Sequence, residues 1–283
     1  MKQIRNYGLI GNPIKHSLSP LMHNAAFAKL KINARYKLFE LKERDVFKFL
    51  NNIPKKNIFG LNVTIPYKET VVNYPFSDKN SSVASIGAAN TIKVDKSGKL
   101  KLFNTDYLGF IRHIEELRIK PKNVAIIGAG GASKAICFAL GKKKVREVVI
   151  YDIDKFRSLA LMKKFNQVFL DSRFKAVANI EELNLKDKDL LINASSVGLK
   201  TDDPLLISAS MLHQNIFVYD LIYNPKETKL LKLARENNIR YSNGLGMLLY
   251  QGVESLNIWI SPKKAPVDIM RLTLEKACLK ITG

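Results

Sequence analysis

The run Val124-Ala125-Ile126-Ile127-Gly128-Ala129-Gly130-Gly131-Ala132-Ser133, followed by the apolar stretch Ala135 to Leu140, decides the fold class. The first four residues read as a buried strand, and the stretch beyond the glycines reads as a buried helix. A strand that ends in bare glycines and opens a helix offers backbone N–H groups and the positive end of a helix to a pyrophosphate, the context of a dinucleotide loop. The spacing is a close variant of G-x-G-x-x-G, with the third glycine early and Ser133 at the usual small position. Gly128, Ala129, Gly130, Gly131 and Ala132 are therefore expected to hold a dinucleotide. The alternative is a plain glycine turn between strand and helix.

A second strand ends at Val149-Ile150-Tyr151-Asp152, which places an acid 152 − 128 = 24 positions after the first glycine. Such an acid accepts from adenosine ribose hydroxyls and repels a 2′-phosphate, so NAD is favoured. Lys155 and Arg157 follow closely and can pair with a phosphate, which keeps NADP open. Asp152 as the N-cap of the next helix is the competing reading.

Outward from this run, the alternation of β-branched or aromatic stretches with helical ones covers the whole chain. Tyr7 to Gly11, Arg35 to Phe39 and Ile58 to Val63 read as strands before it. Glu147 to Tyr151, Leu190 to Asn193 and Ile216 to Asp220 read as parallel strands after it. Helices are expected from Ser19-Pro20 onward, with Ser19 as N-cap, and over Tyr107 to Leu117, Ser158 to Phe165, Thr228 to Glu236, Met247 to Trp259 and a last stretch ending at Lys280. Pro66 is placed at the start of a short helix carrying Lys68. Asp95-Lys96-Ser97-Gly98 joins Thr91 to Val94 with Leu100 to Phe103 as a hairpin turn, Gly98 taking a positive φ. The charged connector Arg118 to Lys122 suits passage into a second domain.

At 283 residues and 46% hydrophobic content the chain can bury one large core or two ordinary ones. Cys137 and Cys278 lie far apart and outside any CxxC or Cys/His spacing, so neither a disulfide framework nor a zinc site is suggested. His16, His23, His113 and His213 lack metal spacing too, and no metal is expected. Met1 to Pro20 has no sustained apolar core, and Val124 to Leu140 is broken by glycines, Ser133 and Lys134, so neither a secretory leader nor a membrane span is read. A reduced, cytoplasmic protein is expected. The charge, 46 − 25 = +21, raises nucleic-acid binding. The lysines are scattered and lack interleaved aromatics, which favours instead a basic surface that attracts carboxylate and phosphate ligands.

Chemistry is suggested ahead of the glycine loop, by Asn62-Val63-Thr64-Ile65-Pro66-Tyr67-Lys68 and Asn104-Thr105-Asp106. Lys68 alone reads as a solvated lysine and Asp106 alone as a helix cap. Asn62, Thr64, Asn90 and Asp106, however, all stand at ends of apolar runs, where an open α/β sheet delivers side chains to a crevice. Lysine and aspartate together make an acid/base pair. Ser17 and Ser19, beside a helix start, suit a carboxylate, or are ordinary turn and cap residues.

These motifs together resemble the shikimate dehydrogenase family, including its quinate/shikimate branch. The resemblance rests on HSLSP at His16 to Pro20, NVTIPYK at Asn62 to Lys68, GAANT at Gly87 to Thr91, NTD at Asn104 to Asp106, GAGGAS at Gly128 to Ser133 and GMLLYQG at Gly246 to Gly252. It implies two α/β domains around a cleft: a substrate domain of residues 1–107 completed by C-terminal helices in 246–283, and a Rossmann-like NAD(P)-binding domain of 108–245. It also implies that Lys68 and Asp106 form the catalytic dyad. Ser17 and Ser19 would take the carboxylate of shikimate, or of quinate. Thr64, Asn90 and Gln251 would hold ring hydroxyls, with Asn62 and Tyr223 nearby. Asp152, Arg157, Gly244 and Met247 would border the dinucleotide. Where NADP-using members carry Asn-Arg-Thr, this chain has Asp152-Ile153-Asp154, which resembles NAD-using relatives, although Arg157 matches a second basic position of the NADP type. A monomer or homodimer acting on a small carboxylate is implied. The alternatives are a strictly NADP-dependent biosynthetic enzyme, a non-catalytic NAD-binding regulator, and a methylenetetrahydrofolate dehydrogenase.

Overall fold

A computed structural model describes residues 3–281. In chain order its elements are β1 (Arg5–Gly11), α1 (Ser19–Lys29), β2 (Ala34–Glu40), α2 (Val46–Asn51), β3 (Ile58–Val63), β4 (Ser77–Lys79), α3 (Ser81–Ile86), β5 (Thr91–Val94), β6 (Leu100–Phe103), α4 (Asp106–Glu116), β7 (Asn123–Ile127), α5 (Gly131–Lys142), β8 (Glu147–Tyr151), α6 (Lys155–Val168), β9 (Arg173–Val177), β10 (Leu190–Asn193), β11 (Phe217–Asp220), α7 (Lys229–Glu236), β12 (Tyr241–Ser242), α8 (Leu245–Ile260) and α9 (Val267–Ile281). The chain divides into two units, residues up to Gly109 with Leu248–Ile281, and Phe110–Met247. Residues 1–2 and 282–283, at the ends of the ranges read from sequence, lie outside the described residues.

The first unit is built on a six-stranded mixed sheet in the order β2-β1-β3-β5-β6-β4. β2, β1 and β3 run parallel, whereas β5 is antiparallel to both β3 and β6. The expected hairpin at Asp95–Gly98 is present: Asp95 Oδ1 accepts from the Ser97 and Lys99 N–H groups at 2.9 and 3.0 Å, and Gly98 has φ +84°. One face of the sheet buries Ile10, Leu61, Val63, Ile92 and Leu102 among Val46, Leu50, Tyr67 and Val83. Trp259 of α8 lies over Gly60, a position where a Cβ would strike the indole.

Two local expectations are corrected here. Ser19 does not cap α1; it lies inside the first turn, and its N–H is taken by Ser17 Oγ at 3.3 Å. Lys68 sits on a turn before the short 3-10 helix Thr70–Asn73, because its carbonyl accepts from the Ala89 N–H at 2.8 Å instead of closing a helical turn.

The second unit has six parallel strands in the order β9-β8-β7-β10-β11-β12. Counted along the unit this is 3-2-1-4-5-6, the doubly wound Rossmann order, which reverses between β7 and β10. The strands are buried on both faces: Val124, Ala125 and Ile126, and likewise Leu190, Leu191 and Ile192, expose nothing, as near-continuous apolar runs require. The α/β fold class expected from the glycine run therefore holds.

Candidate active site

In the first unit, Lys68 and Asp106 meet. Lys68 Nζ lies 2.7 Å from Asp106 Oδ2, with side chains 15% and 6% exposed. Asp106 does not cap its helix. Asn104 does: its Oδ1 accepts from the Asp106 and Tyr107 N–H groups at 3.1 and 3.4 Å, and its Nδ2 is anchored on the Ala88 carbonyl. The carboxylate is thus left for other partners. Its second oxygen, Oδ1, accepts from Asn90 Nδ2 at 2.7 Å.

Asn90 is oriented by the chain around it. Its Oδ1 accepts the Thr105 N–H at 2.6 Å, and its amide nitrogen also reaches Gln251 Oε1 at 3.3 Å. A flipped amide would set donor against donor at Thr105 and acceptor against acceptor at Asp106. Gln251 in turn donates to the Leu248 carbonyl of its own helix at 2.9 Å.

Asn62 lies behind Asn90, bonded to its backbone. It is 4% exposed, accepts from Tyr36 Oη at 2.9 Å, and donates to the Asn90 carbonyl, Thr91 Oγ1 and Ser255 Oγ at 3.2, 3.2 and 2.9 Å. Both ends of its amide are consumed inside the protein. Thr64 is half-buried beside Gly11, where a Cβ would strike its methyl. Ser17 is half-buried and Ser19 buried at the start of α1. His16 is exposed, while His23 is fully buried with no hydrogen-bond partner at either ring nitrogen, and burial lowers it to about 3.

In the second unit, Gly128 follows β7 with φ +104°, and a Cβ there would lie 2.8 Å from the Ser195 N of the β10 loop. Only glycine suits this approach at the strand-order reversal. Gly130 precedes the first turn of α5, and nothing comes nearer to its missing Cβ than Arg157 Nη2 at 3.8 Å. The loop therefore presents open backbone, and the first-turn N–H groups of a helix have no intrahelical acceptor. These features fit a dinucleotide pyrophosphate.

Asp152 is not a helix cap, since Asp154 takes that role on the Phe156 N–H at 3.0 Å. Asp152 instead ties the loop to the second strand, accepting from the Ala129 N–H through Oδ2 at 2.6 Å and from the Asp154 N–H through Oδ1 at 2.9 Å. At the end of β11, Gly244 packs on the Leu221 backbone and donates its N–H to the Ile222 carbonyl at 3.2 Å, beside the half-buried Tyr223. Met247 is buried in the first turn of α8. The supporting carboxylate Asp220 accepts from Asn193, Thr228 and the Ile222 N–H, and burial raises its proton affinity.

Thr91 and Thr105 lie inside the quoted motifs without an assigned role, and Ser255 lies outside them. Ser255 stands four positions after Gln251, hence on the same face of α8, which is the signal that could have found it. Among the described residues no three His, Cys, Asp or Glu side chains converge to hold a metal ion, and no helix is long and apolar enough to cross a membrane.

The chain resembles known proteins in both sequence and fold. Residues 9–92 match the family model for the shikimate dehydrogenase substrate binding domain, and residues 244–275 match that for the shikimate 5'-dehydrogenase C-terminal domain. A shikimate dehydrogenase (NADP(+)) of Caldanaerobacter subterraneus is 39% identical, over 89% of this chain and 90% of its own. Its counterpart in Methanococcoides burtonii is 38% identical over 97% and 98%. The crystal structure of shikimate 5-dehydrogenase from Listeria monocytogenes in complex with shikimate and NAD superposes with a TM-score of 0.87 at 33% identity, covering 97% of both chains. Over essentially its full length, in sequence and in fold, the chain belongs to the shikimate dehydrogenase family.

Proposed function

We propose that the protein catalyses the reversible NAD(P)-dependent reduction of 3-dehydroshikimate to shikimate, with Lys68 and Asp106 as its acid/base pair. The observation that carries this reading is the 2.7 Å contact between Lys68 Nζ and Asp106 Oδ2, in a nearly buried setting and with the other carboxylate oxygen held by Asn90. Gly128–Ala132 would hold the pyrophosphate of a nicotinamide dinucleotide, which when bound would supply the hydride. As the ketone oxygen gains negative charge, the Lys68 ammonium stabilises it and donates a proton; in the oxidative direction the neutral amine takes the proton back. Asp106 orients the ammonium. Asn90 and Gln251 place neutral hydrogen-bonding groups beside the pair, and Thr64, Ser17 and Ser19 are assigned to the remaining hydroxyls and the carboxylate.

Two serines at the carboxylate end favour shikimate over quinate, which carries one more hydroxyl at the same carbon. The cofactor preferred is NAD. Asp152 stands after the second strand, where the adenosine ribose of a dinucleotide would lie and a 2′-phosphate would meet its carboxylate, while Arg157, whose Nη2 comes within 3.8 Å of where a Gly130 Cβ would lie, softens the repulsion. The relatives named for NADP(+) are the reason to measure this directly. Both cysteines are buried free thiols, which suits a reducing compartment and a cytoplasmic enzyme.

The decisive experiment is a kinetic matrix of NADH and NADPH against 3-dehydroshikimate, and of NAD and NADP against shikimate and quinate. Turnover of 3-dehydroshikimate with a higher kcat/KM for NADH is expected. No turnover with either cofactor would remove the reading, and a strong NADPH preference would remove the part that rests on Asp152.

A further inference from the structure

Behind the Lys68–Asp106 pair, three hydroxyls from three separate segments form a closed cluster. Ser255 Oγ of α8 lies 2.7 Å from Thr91 Oγ1 at the start of β5 and 3.0 Å from Thr105 Oγ1 ahead of α4, while the two threonine oxygens are 3.1 Å apart. All three residues are fully buried. Their other partners are equally internal: Asn62 Nδ2 donates to Ser255 at 2.9 Å and Ser255 reaches the Gln251 carbonyl at 2.9 Å, one helical turn back. Both threonine hydroxyls reach Asn90 Oδ1 at 3.1 Å.

We propose that Ser255 is a positioning residue for the reaction: it closes the hydroxyl cluster that holds the Asn90 amide with its nitrogen on Asp106, and so controls how the acid/base pair handles its proton. The inference rests on the dehydrogenase reading of the same site. Each hydroxyl has one hydrogen to give and two lone pairs to fill, and in a space without exposure each must find its partner inside the cluster. Ser255 gives its one hydrogen to the Gln251 carbonyl and so accepts from Asn62 and the threonines; take its Oγ away and those donors lose an acceptor, and Asn62 and the threonines, which also hold the Asn90 carbonyl and Oδ1, rearrange about the void and carry Asn90 with them. Asn90 then holds Asp106 Oδ1 less firmly. The carboxylate turns its charge more fully on Lys68, and the ammonium gives up its proton less readily.

The effect belongs in the pH dependence of turnover more than in substrate affinity, because Ser255 touches neither Lys68 nor any exposed part of the site. Ser255→Ala is expected to lower kcat about tenfold with KM for shikimate changed less than about threefold, and to displace the kcat–pH profile to higher pH by roughly half a unit to one unit. Ser255→Thr, which keeps the hydroxyl, should restore the wild-type profile. Ser255→Cys, with similar shape and a weak donor, should fall between and serves if the alanine variant does not fold.

A wild-type enzyme that turns over shikimate while folded Ser255→Ala or Ser255→Cys follows its profile unchanged would overturn the inference. A wild-type protein with no turnover would instead remove the dehydrogenase reading beneath it. An equal loss of kcat in the alanine and threonine variants, without displacement of the profile, would reduce Ser255 to packing and also overturn it.

Discussion

Asn90 and Lys68 hold opposite oxygens of one carboxylate: Asn90 Nδ2 donates to Asp106 Oδ1, and Lys68 Nζ meets Oδ2, both at 2.7 Å. A carboxylate clamped on both sides cannot rotate away from the lysine, so the three residues act as one unit. In such a unit the effects of single substitutions are not additive.

Lys68→Ala removes the ammonium that we propose meets the developing alkoxide. Turnover is expected to fall by about 10²-fold or more while KM for shikimate moves far less, as loss of an acid/base group does. Steady-state kinetics in both directions check it, and an unchanged kcat would dismiss the pair.

Asn90→Ala frees one oxygen of Asp106 and strands the Thr105 N–H. The double variant Asn90→Ala/Lys68→Ala should then be little slower than Lys68→Ala alone, whereas independent sites would multiply their losses. A double-mutant cycle on kcat distinguishes the two cases.

Asp152 should control the choice of cofactor. Asp152→Asn removes the charge and keeps an acceptor for only one of the Ala129 and Asp154 N–H groups, and is expected to raise kcat/KM for NADPH relative to NADH by about tenfold or more, the equivalent of about 1.4 kcal/mol. Arg157→Ala should move the ratio the other way. Cofactor ratios that stay fixed in both variants would place selectivity elsewhere.

Gly128→Ala puts a Cβ within 2.8 Å of the Ser195 N at a φ of +104° that side chains rarely adopt. A loss of roughly 1–3 kcal/mol in stability is expected from the strain, together with weaker cofactor binding. Denaturant midpoints and cofactor titration by fluorescence measure the two effects separately.

His23 should make the fold acid-sensitive. Stacked on Tyr36 with ring centroids 4.5 Å apart and fully buried, it stays neutral down to about 3 when folded, against an ordinary value of 6.5. Below pH 6.5 the unfolded chain takes up a proton that the folded chain refuses, so stability falls with pH through the window from 6.5 to 3, by about 2 kcal/mol at pH 5. His23→Phe should flatten that part of the curve. Parallel acid limbs in the two proteins would assign the sensitivity to other groups.

Much of the architecture could be read from local signals because they are written within a few residues. Asp95-Lys96-Ser97-Gly98 carries its own turn chemistry, and the glycine run between two apolar stretches carries its own strand, loop and helix. The three-residue β4 and the edge strand β9, Arg173-Phe174-Lys175-Ala176-Val177, left no such trace, since an edge strand keeps polar residues and gains its ladder only from a neighbour. The antiparallel pairing of β5 with β3 was equally unmarked, because it joins strands that no short turn connects.

The site divides along the same line. Residue chemistry and spacing alone determined that a lysine, an aspartate and an acid after the second strand were available to a dinucleotide enzyme of α/β class. Only the tertiary structure decided that Asn104 caps α4 so that Asp106 is free, that Asn62 is spent on Tyr36, Asn90, Thr91 and Ser255, and that Asp152 spans the glycine loop. A hydrogen bond joins residues by distance in space, and partners 193 positions apart, such as Asn62 and Ser255, carry no sequence signature of their meeting.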